Sequence, residues 1–463
     1  MKIFTIDLET TGREKPFEAP TQVGVKVFDS TGKETEAIDA RGRIPRHVLA
    51  SPGALAVTGQ RIYDLQNAPR SSYEFARYIH QLIKRNSPAV VAGYNNISYD
   101  EEVLRHTFYG NLMQPYITQF GGNERLDVLL AMKAAKICDP SAFDLPINAK
   151  GKQSFKLEDL APAFGYTGHD AHDALADVDA TMFVAQTIRS RSPEVWKSTH
   201  LMRSKARMDE VLEKRQPVVK LHWNHRGDKP SIKVLLPVCR DREIPSKWWC
   251  VDLNCKIDRV IAADVGTIRK AISASTIVGV TVNKMPLVLP LSDPAIAKLD
   301  FAFDQGSVEK LTSDGGLSEV IQNAAQMIRD DYEPKVHVQD QLYSGGFFPV
   351  DEDKSALTEF HMSEPASKYE IVGSLCDQRA KVLGKLLIGS EWPEVMSPGD
   401  LRAYEEEVQQ RFFADDVPWM TVPKALEEIK ELRPAVGKTA NILEEYEYWL
   451  QRLRSRGFPY AAE

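Results

Sequence analysis

Asp7 and Glu9 stand two residues apart at the end of an apolar, β-branched run, Lys2-Ile3-Phe4-Thr5-Ile6. Such a run reads as a buried strand. Side chains alternate along a strand, so the two carboxylates share one face while Ile6 and Leu8 take the other. Neighbouring acids repel one another and resist leaving water. A divalent cation answers both problems, and carboxylate oxygens suit Mg²⁺ or Mn²⁺. A solvated strand end is the competing reading, so a metal site needs further oxygen ligands. Asp100 follows the apolar run 89–93, where a helix opens near Ser98. Asp177 lies in a helix expected over 171–188, with Asp173 one turn earlier as a rival and Asp170 and Asp179 as weaker ones. Strand ends and helix starts on one rim of an α/β sheet converge on a crevice. Four acids on such a rim suit two divalent ions. His172, where that helix starts, is placed to take a proton from a water near neutral pH, with His169 as the decoy.

The elements that must position these groups follow from the pattern. Residues 21–28 alternate as a second strand, and a turn at Ser30-Thr31-Gly32-Lys33 returns the chain as a third. Ser71-Ser72 caps a helix to about Lys84, with Phe75, Tyr78, Ile79 and Leu82 on one face. Residues 126–137 and 157–164 read as helices and 139–152 as loop. The helix at 171–188 buries a face of Leu175, Val178, Met182, Phe183 and Ile188. This is an α/β unit of about 190 residues, followed by short linker helices. From Pro217 to about Val288 the runs VVKLHW, IKVLLPV, WWCVDL and IVGVTV predict a small barrel or sandwich. Helices follow at 307–312, 316–330, 365–387, 397–413, 422–432 and 437–456.

The composition of the 463 residues, 43% hydrophobic and 27% charged, is that of a soluble globular chain of several domains. No apolar run is long enough to span a membrane, and no signal peptide is read before the first strand. Five cysteines without a CxxC pair predict a reducing, cytoplasmic setting without structural zinc. His222 and His225 form HxxH without a third ligand. The net charge of -7 excludes a global basic field. Residues 201–242 nevertheless hold 11 Lys and Arg against five acids, a local track for a polyanion, with His222 and Trp223 interleaved. For any one of these cations a solvated face is the simpler reading, and Trp223 and Trp248-Trp249 read as core.

Taken together, the motifs resemble the DnaQ-like, ribonuclease-H-fold 3′–5′ exonucleases. Asp7-Leu8-Glu9-Thr10-Thr11-Gly12 resembles their first motif, Gly93-Tyr94-Asn95-Asn96 with Asp100 the second, and HDALAD at 172–177 the third, in its histidine-bearing (DEDDh) form. Within that superfamily the chain resembles the exonuclease I family, through GYNNISYDEEVLRHTFYGN, SFKLEDL, VNKMPLVL, QLYSGGFF and DQRAKVLGKLL. The resemblance implies an α/β exonuclease domain (1–192), an SH3-like β domain with linker helices (193–345) and a C-terminal all-α domain (346–463). It implies Asp7, Glu9, Asp100 and Asp177 as ligands of two Mg²⁺ ions, replaceable by Mn²⁺, with His172 as general base and Asp177 ranked above Asp173. It implies that Glu9, Thr10, Arg105, Lys133 and Lys156 touch substrate, with Leu8 near the terminal nucleotide. The implied activity is degradation of single-stranded DNA from its 3′ end to 5′-mononucleotides by a monomer. The implied partner is the acidic tail of a single-strand binding protein, although Asp139, beside Lys136, stands where a basic residue is expected. A DEDDh enzyme acting on RNA or in proofreading, and a non-catalytic DNA-binding relative, are the alternatives.

Overall fold

The structure is a computed structural model that describes residues 1–167, 173–224, 228–433, 437 and 439–457. Its N-terminal sheet contains β1 (Lys2–Thr10), β2 (Pro20–Phe28), β3 (Glu34–Arg41), β4 (Ala89–Gly93) and β5 (Glu124–Asp127), in the order β3-β2-β1-β4-β5. β1, β2 and β3 are antiparallel neighbours, whereas β4 and β5 run parallel to β1. The carboxyl ends of β1, β4 and β5 therefore share one rim. Asp7 and Glu9 leave it from β1, and Asp127 from β5. Asp100 opens the helix Asp100–Gly110 just beyond β4.

Alternation along β1 assigns its two faces to two cores. Phe4, Ile6 and Leu8 join a core with the helix Ser72–Asn86. That helix starts at a capping box formed by Ser71 and Glu74. The same core continues without a break into Leu383, Tyr446 and Leu450 of the C-terminal helices. On the other face, Thr5 donates to Met182 Sδ at 3.2 Å, in the helix Ala174–Arg191 that packs across β1 and β2. Val184 and Ile188 of this helix share a second core with Trp223 and Trp248 of the β-rich segment. The C-terminal helices thus cover one side of the α/β unit and the β-rich segment covers the other.

The β-rich segment forms one antiparallel sheet, not a sandwich. It contains β6 (Val218–Asn224), β7 (Lys229–Arg240), β8 (Lys247–Asp252), β9 (Ile277–Thr281) and β10 (Val288–Pro290), in the order β10-β6-β7-β8-β9. Trp248 and Trp249 are both buried, on opposite faces, and their indoles donate to Asp209 (3.0 Å) and Asp241 (2.8 Å). Beyond residue 293 the chain is helical.

Several expected elements differ from those observed. The helix expected from 126 starts at Val128, because residues 124–127 are strand β5 and Asp127 caps the helix. The helix expected over 365–387 is two, Pro365–Ser374 and Gln378–Glu391. Asp353 accepts the amides of Cys376 (2.7 Å) and Asp377 (2.8 Å), and Asp377 caps the second helix, so the break is held by hydrogen bonds. In helix Ala174–Arg191 the buried stripe is Val178, Thr181, Val184, Ala185 and Ile188, while Leu175, Met182 and Phe183 are only partly covered. Small residues bring this helix close to the sheet, and the large ones fill its flanks. No helix among the described residues is long and apolar enough to cross a membrane.

Candidate active site

Carboxylate oxygens of Asp7, Glu9 and Asp177 lie within 4.8 Å of one another. Two come from adjacent positions on one face of β1. The third comes from the first turn of helix Ala174–Arg191, which β2 supports. Asp100 is a close neighbour of the trio. One of its oxygens accepts the Leu8 amide at 3.1 Å, which ties it to β1 between the two strand acids.

The electrostatics are those of anions crowded together. Burial, then the charges of Asp100, Asp177 and Glu9, hold Asp7 well above the ordinary carboxylate range. Burial, then Asp177 and Asp100, raise Glu9 to about 8. Burial raises Asp100 to about 7 against the stabilising Leu8 amide. An all-oxygen donor set whose charges repel in this way fits a hard divalent cation. Asp7, Glu9, Asp100 and Asp177 are the residues that would hold it.

The crowding gives stability a pH dependence of definite sign. Without metal, folded Glu9 and Asp100 keep protons that the unfolded chain sheds near pH 4. Their contribution to stability is complete below that pH and is lost as pH rises through about 7 and 8. Urea unfolding in EDTA should show this loss between pH 5 and 8.5, and Glu9→Gln should flatten it. Equal slopes in the two proteins would refute the assignment.

Among the other expected residues, Asp173, the rival to Asp177, caps the helix by accepting the Ala176 amide at 3.2 Å, and its second oxygen accepts Gln22 Nε2 at 3.1 Å. Asp179 is ion-paired with Lys26 at 2.7 Å. His169, Asp170, His172 and His225 lie outside the described residues. The Thr10 hydroxyl is within 2.6 Å of the Tyr99 hydroxyl and donates to Gly12 O at 3.0 Å, so it builds the turn after β1.

Lys133 and Lys156 both line a cavity of about 600 Å³ that reaches Asp177. Its apolar walls include Tyr94, Leu129, Phe155 and Leu157. Tyr94, Phe155 and Leu157 lie in motif segments but carried no site role from sequence, since aromatic and aliphatic residues in helix and loop patterns look like any core. Lys156 is exposed and pairs with Glu158 at 2.6 Å. Arg105 is not among the residues that line this cavity. It is 3% exposed and paired with Glu102 (2.6 Å) and Glu101 (3.5 Å). A carboxylate one turn along its own helix supplies what a phosphate would.

Four cations of the 201–242 track are paired with acids. Arg203 pairs with Glu124, Arg240 with Asp209 and Glu213, Arg242 with Glu319 and Lys233 with Asp252. Trp223 is core, edge-on to Phe155. Near the expected acidic-tail site, Lys136 donates to the carbonyls of Pro140 and Phe143, and Asp139 accepts from Ser192 and pairs with Lys298.

Comparison with known proteins agrees with this geometry. Residues 4–185 match the family model Exonuclease, and residues 337–453 match Exonuclease I C-terminal domain. Exodeoxyribonuclease I of Escherichia coli (strain K12) is 27% identical over 458 residues, covering 91% of this chain and 95% of that protein. An exonuclease I from Methylocaldum szegediense has the same fold, with a TM-score of 0.85 at 24% identity over 98% of this chain and 99% of that one. E. coli exonuclease I in complex with a dA16 oligonucleotide superposes with a TM-score of 0.79 at 23% identity, over 98% and 99%. With an exonuclease domain followed in the same chain by an exonuclease I C-terminal domain, this protein belongs to the exonuclease I family.

Proposed function

We propose that this chain hydrolyses single-stranded DNA from its 3′ end and releases 5′-mononucleotides. The observation that carries this reading is the trio Asp7, Glu9 and Asp177 beside an apolar-walled, lysine-bearing cavity that Asp177 lines. The names of the relatives support it: that of E. coli is an exodeoxyribonuclease I, and E. coli exonuclease I was solved in complex with a dA16 oligonucleotide.

The four acids would hold two divalent ions, Mg²⁺ or Mn²⁺. Asp7, on which burial and then the charges of Asp100 and Asp177 act, would be one of these ligands. When bound, the ions supply a lowered water pKa and neutralise the leaving 3′-oxygen. The protein does the rest. His172, joined directly to the cap residue Asp173, takes the proton of the attacking water. Tyr94, Leu129, Phe155 and Leu157 receive the terminal sugar and base, and Lys133 and Lys156 receive phosphate charge. The path of the strand continues over β6. Lys220 and His222 share one face of that strand, and His222 feels the like charges of Lys220, Lys133 and Lys233. Lys220 stands opposite Lys233, which pairs with Asp252 at 2.9 Å. Contacts to backbone and base faces read no sequence.

An end-labelled oligonucleotide assay tests the proposal. Single-stranded DNA should shorten with Mg²⁺ and survive in EDTA, while RNA and duplex persist. Equal digestion of RNA would favour the alternative DEDDh role. His172→Ala should slow hydrolysis by roughly 10²-fold or more. Binding measured in EDTA should weaken steeply with salt, and Lys220→Ala should lower that log–log slope by about one. An unchanged slope would remove β6 from the path.

A further inference from the structure

β2 carries no carboxylate of the site, yet its register places two of its residues beside the acids. Gly24 pairs with Asp7 and Gln22 with Glu9. We infer that Gly24 and Gln22 form a seat that sets where helix Ala174–Arg191 presents Asp177, which makes them positioning residues for the metal site. The inference rests on the proposed metal site and adds residues that the motifs do not contain.

Gly24 sets the distance. A Cβ at this position would lie 2.3 Å from the Ala174 carbonyl carbon and oxygen and 2.5 Å from the Leu175 nitrogen. These are backbone atoms of the first helical turn, so no rotamer change relieves the clash. A single methyl group here moves the helix away from β1, and Asp177 moves with it.

Gln22 sets the rotation. It is 1% exposed, and its amide nitrogen donates to Asp39 at 2.8 Å and to Asp173 at 3.1 Å. Both partners are carboxylates, so the nitrogen must be the end that faces them. The Asp173 oxygen that Gln22 leaves free caps Ala176, and the Asp177 amide donates to the Asp173 carbonyl at 2.9 Å. The line of contact therefore runs from the strand partner of Glu9, through Asp173, to the backbone that carries Asp177. A glutamine binds two acids without adding charge of its own. A lysine in its place would offset the negative field that attracts a cation, and a glutamate would repel both partners. Supporting groups of this kind, one step behind the ligands, orient metal sites.

The test compares wild type, Asp7→Ala, Gly24→Ala and Gln22→Met by Mn²⁺ titration calorimetry, single-turnover hydrolysis and oligonucleotide binding in EDTA. Gln22→Met keeps side-chain length and removes the donor. Both seat variants should bind Mn²⁺ about 10- to 100-fold more weakly and hydrolyse correspondingly more slowly. Their affinity for single-stranded DNA in EDTA should stay within about twofold of wild type. Adding Gln22→Met to Asp173→Ala should cost little more, because Gln22 acts through Asp173. Wild-type Mn²⁺ affinity in Gln22→Met, with binding lost in Asp7→Ala, overturns the seat and leaves the metal site standing. Equal Mn²⁺ binding by wild type and Asp7→Ala overturns both. If Gly24→Ala fails to fold, Gln22→Met alone decides.

Discussion

Asp7→Asn is expected to lower single-turnover hydrolysis of single-stranded DNA by ~10³-fold or more, the loss of several kcal/mol of metal-supplied stabilisation. Asparagine keeps the shape of the side chain and removes one charge from the most crowded point of the site. Asp7 is the acid on which Asp100, Asp177, Glu9 and Asp173 all act. The same substitution should therefore raise the melting temperature in EDTA, because it removes repulsion that the folded chain tolerates only for the sake of a cation. It should also abolish the stabilisation that Mg²⁺ gives wild type. Opposite effects on activity and on metal-free stability separate a ligand from an ordinary structural residue. Mg²⁺-dependent turnover within tenfold of wild type would refute the assignment of Asp7.

The second large effect concerns stability and lies beside the site. Glu101 is completely buried, next to Asp100 in sequence. Its carboxylate pairs with Arg125 at 2.8 Å and Arg105 at 3.5 Å, and it accepts Thr118 Oγ1 at 2.6 Å. Arg125 reaches the carbonyl of Asn283 in the β-rich segment, and Arg105 donates to Tyr343 Oη at 3.2 Å, before the C-terminal helices. One acid thus holds two arginines that bridge three parts of the chain. Glu101→Ala would remove the carboxylate that both buried guanidinium groups share, leaving Arg105 its pair with Glu102. Removing one partner of a buried pair costs about 3–5 kcal/mol. Urea unfolding should show a loss in this range, with Glu101→Gln intermediate. A loss below about 1 kcal/mol would mean that the arginines find other partners.

Arg105 shows a setting that sequence patterns leave open. Its position five residues after Asp100 resembles that of a substrate contact, but whether a cation faces DNA depends on which acids lie near it. Glu101 and Glu102 are on its own helix, where Glu101 and Arg105 are buried and Glu102 is partly covered. Four cations of the 201–242 track are paired as well: Glu124, Asp252 and Glu319 come from outside it, and Asp209 and Glu213 from its own helix. Lys220 and His222 escaped because alternation put them on the outer face of β6. Strand β5 went unread because four residues, Glu-Arg-Leu-Asp, carry too little periodicity to be told from a helix start.

Asp7 and Glu9 were legible because the period of a strand is local: two residues on one face need no other part of the chain. The motif spacing likewise marked Asp100 and Asp177 as their companions. What only the tertiary structure decided is non-local. Strand order brings the ends of β1, β4 and β5 to one rim. Register puts Gly24 beside Asp7 and Gln22 beside Glu9. Close packing of Ala174 on Gly24 then brings Asp177 to within 4.8 Å of the first pair. Sequence patterns name which groups are chemically fit to meet, whereas distance between residues far apart in the chain is settled by packing.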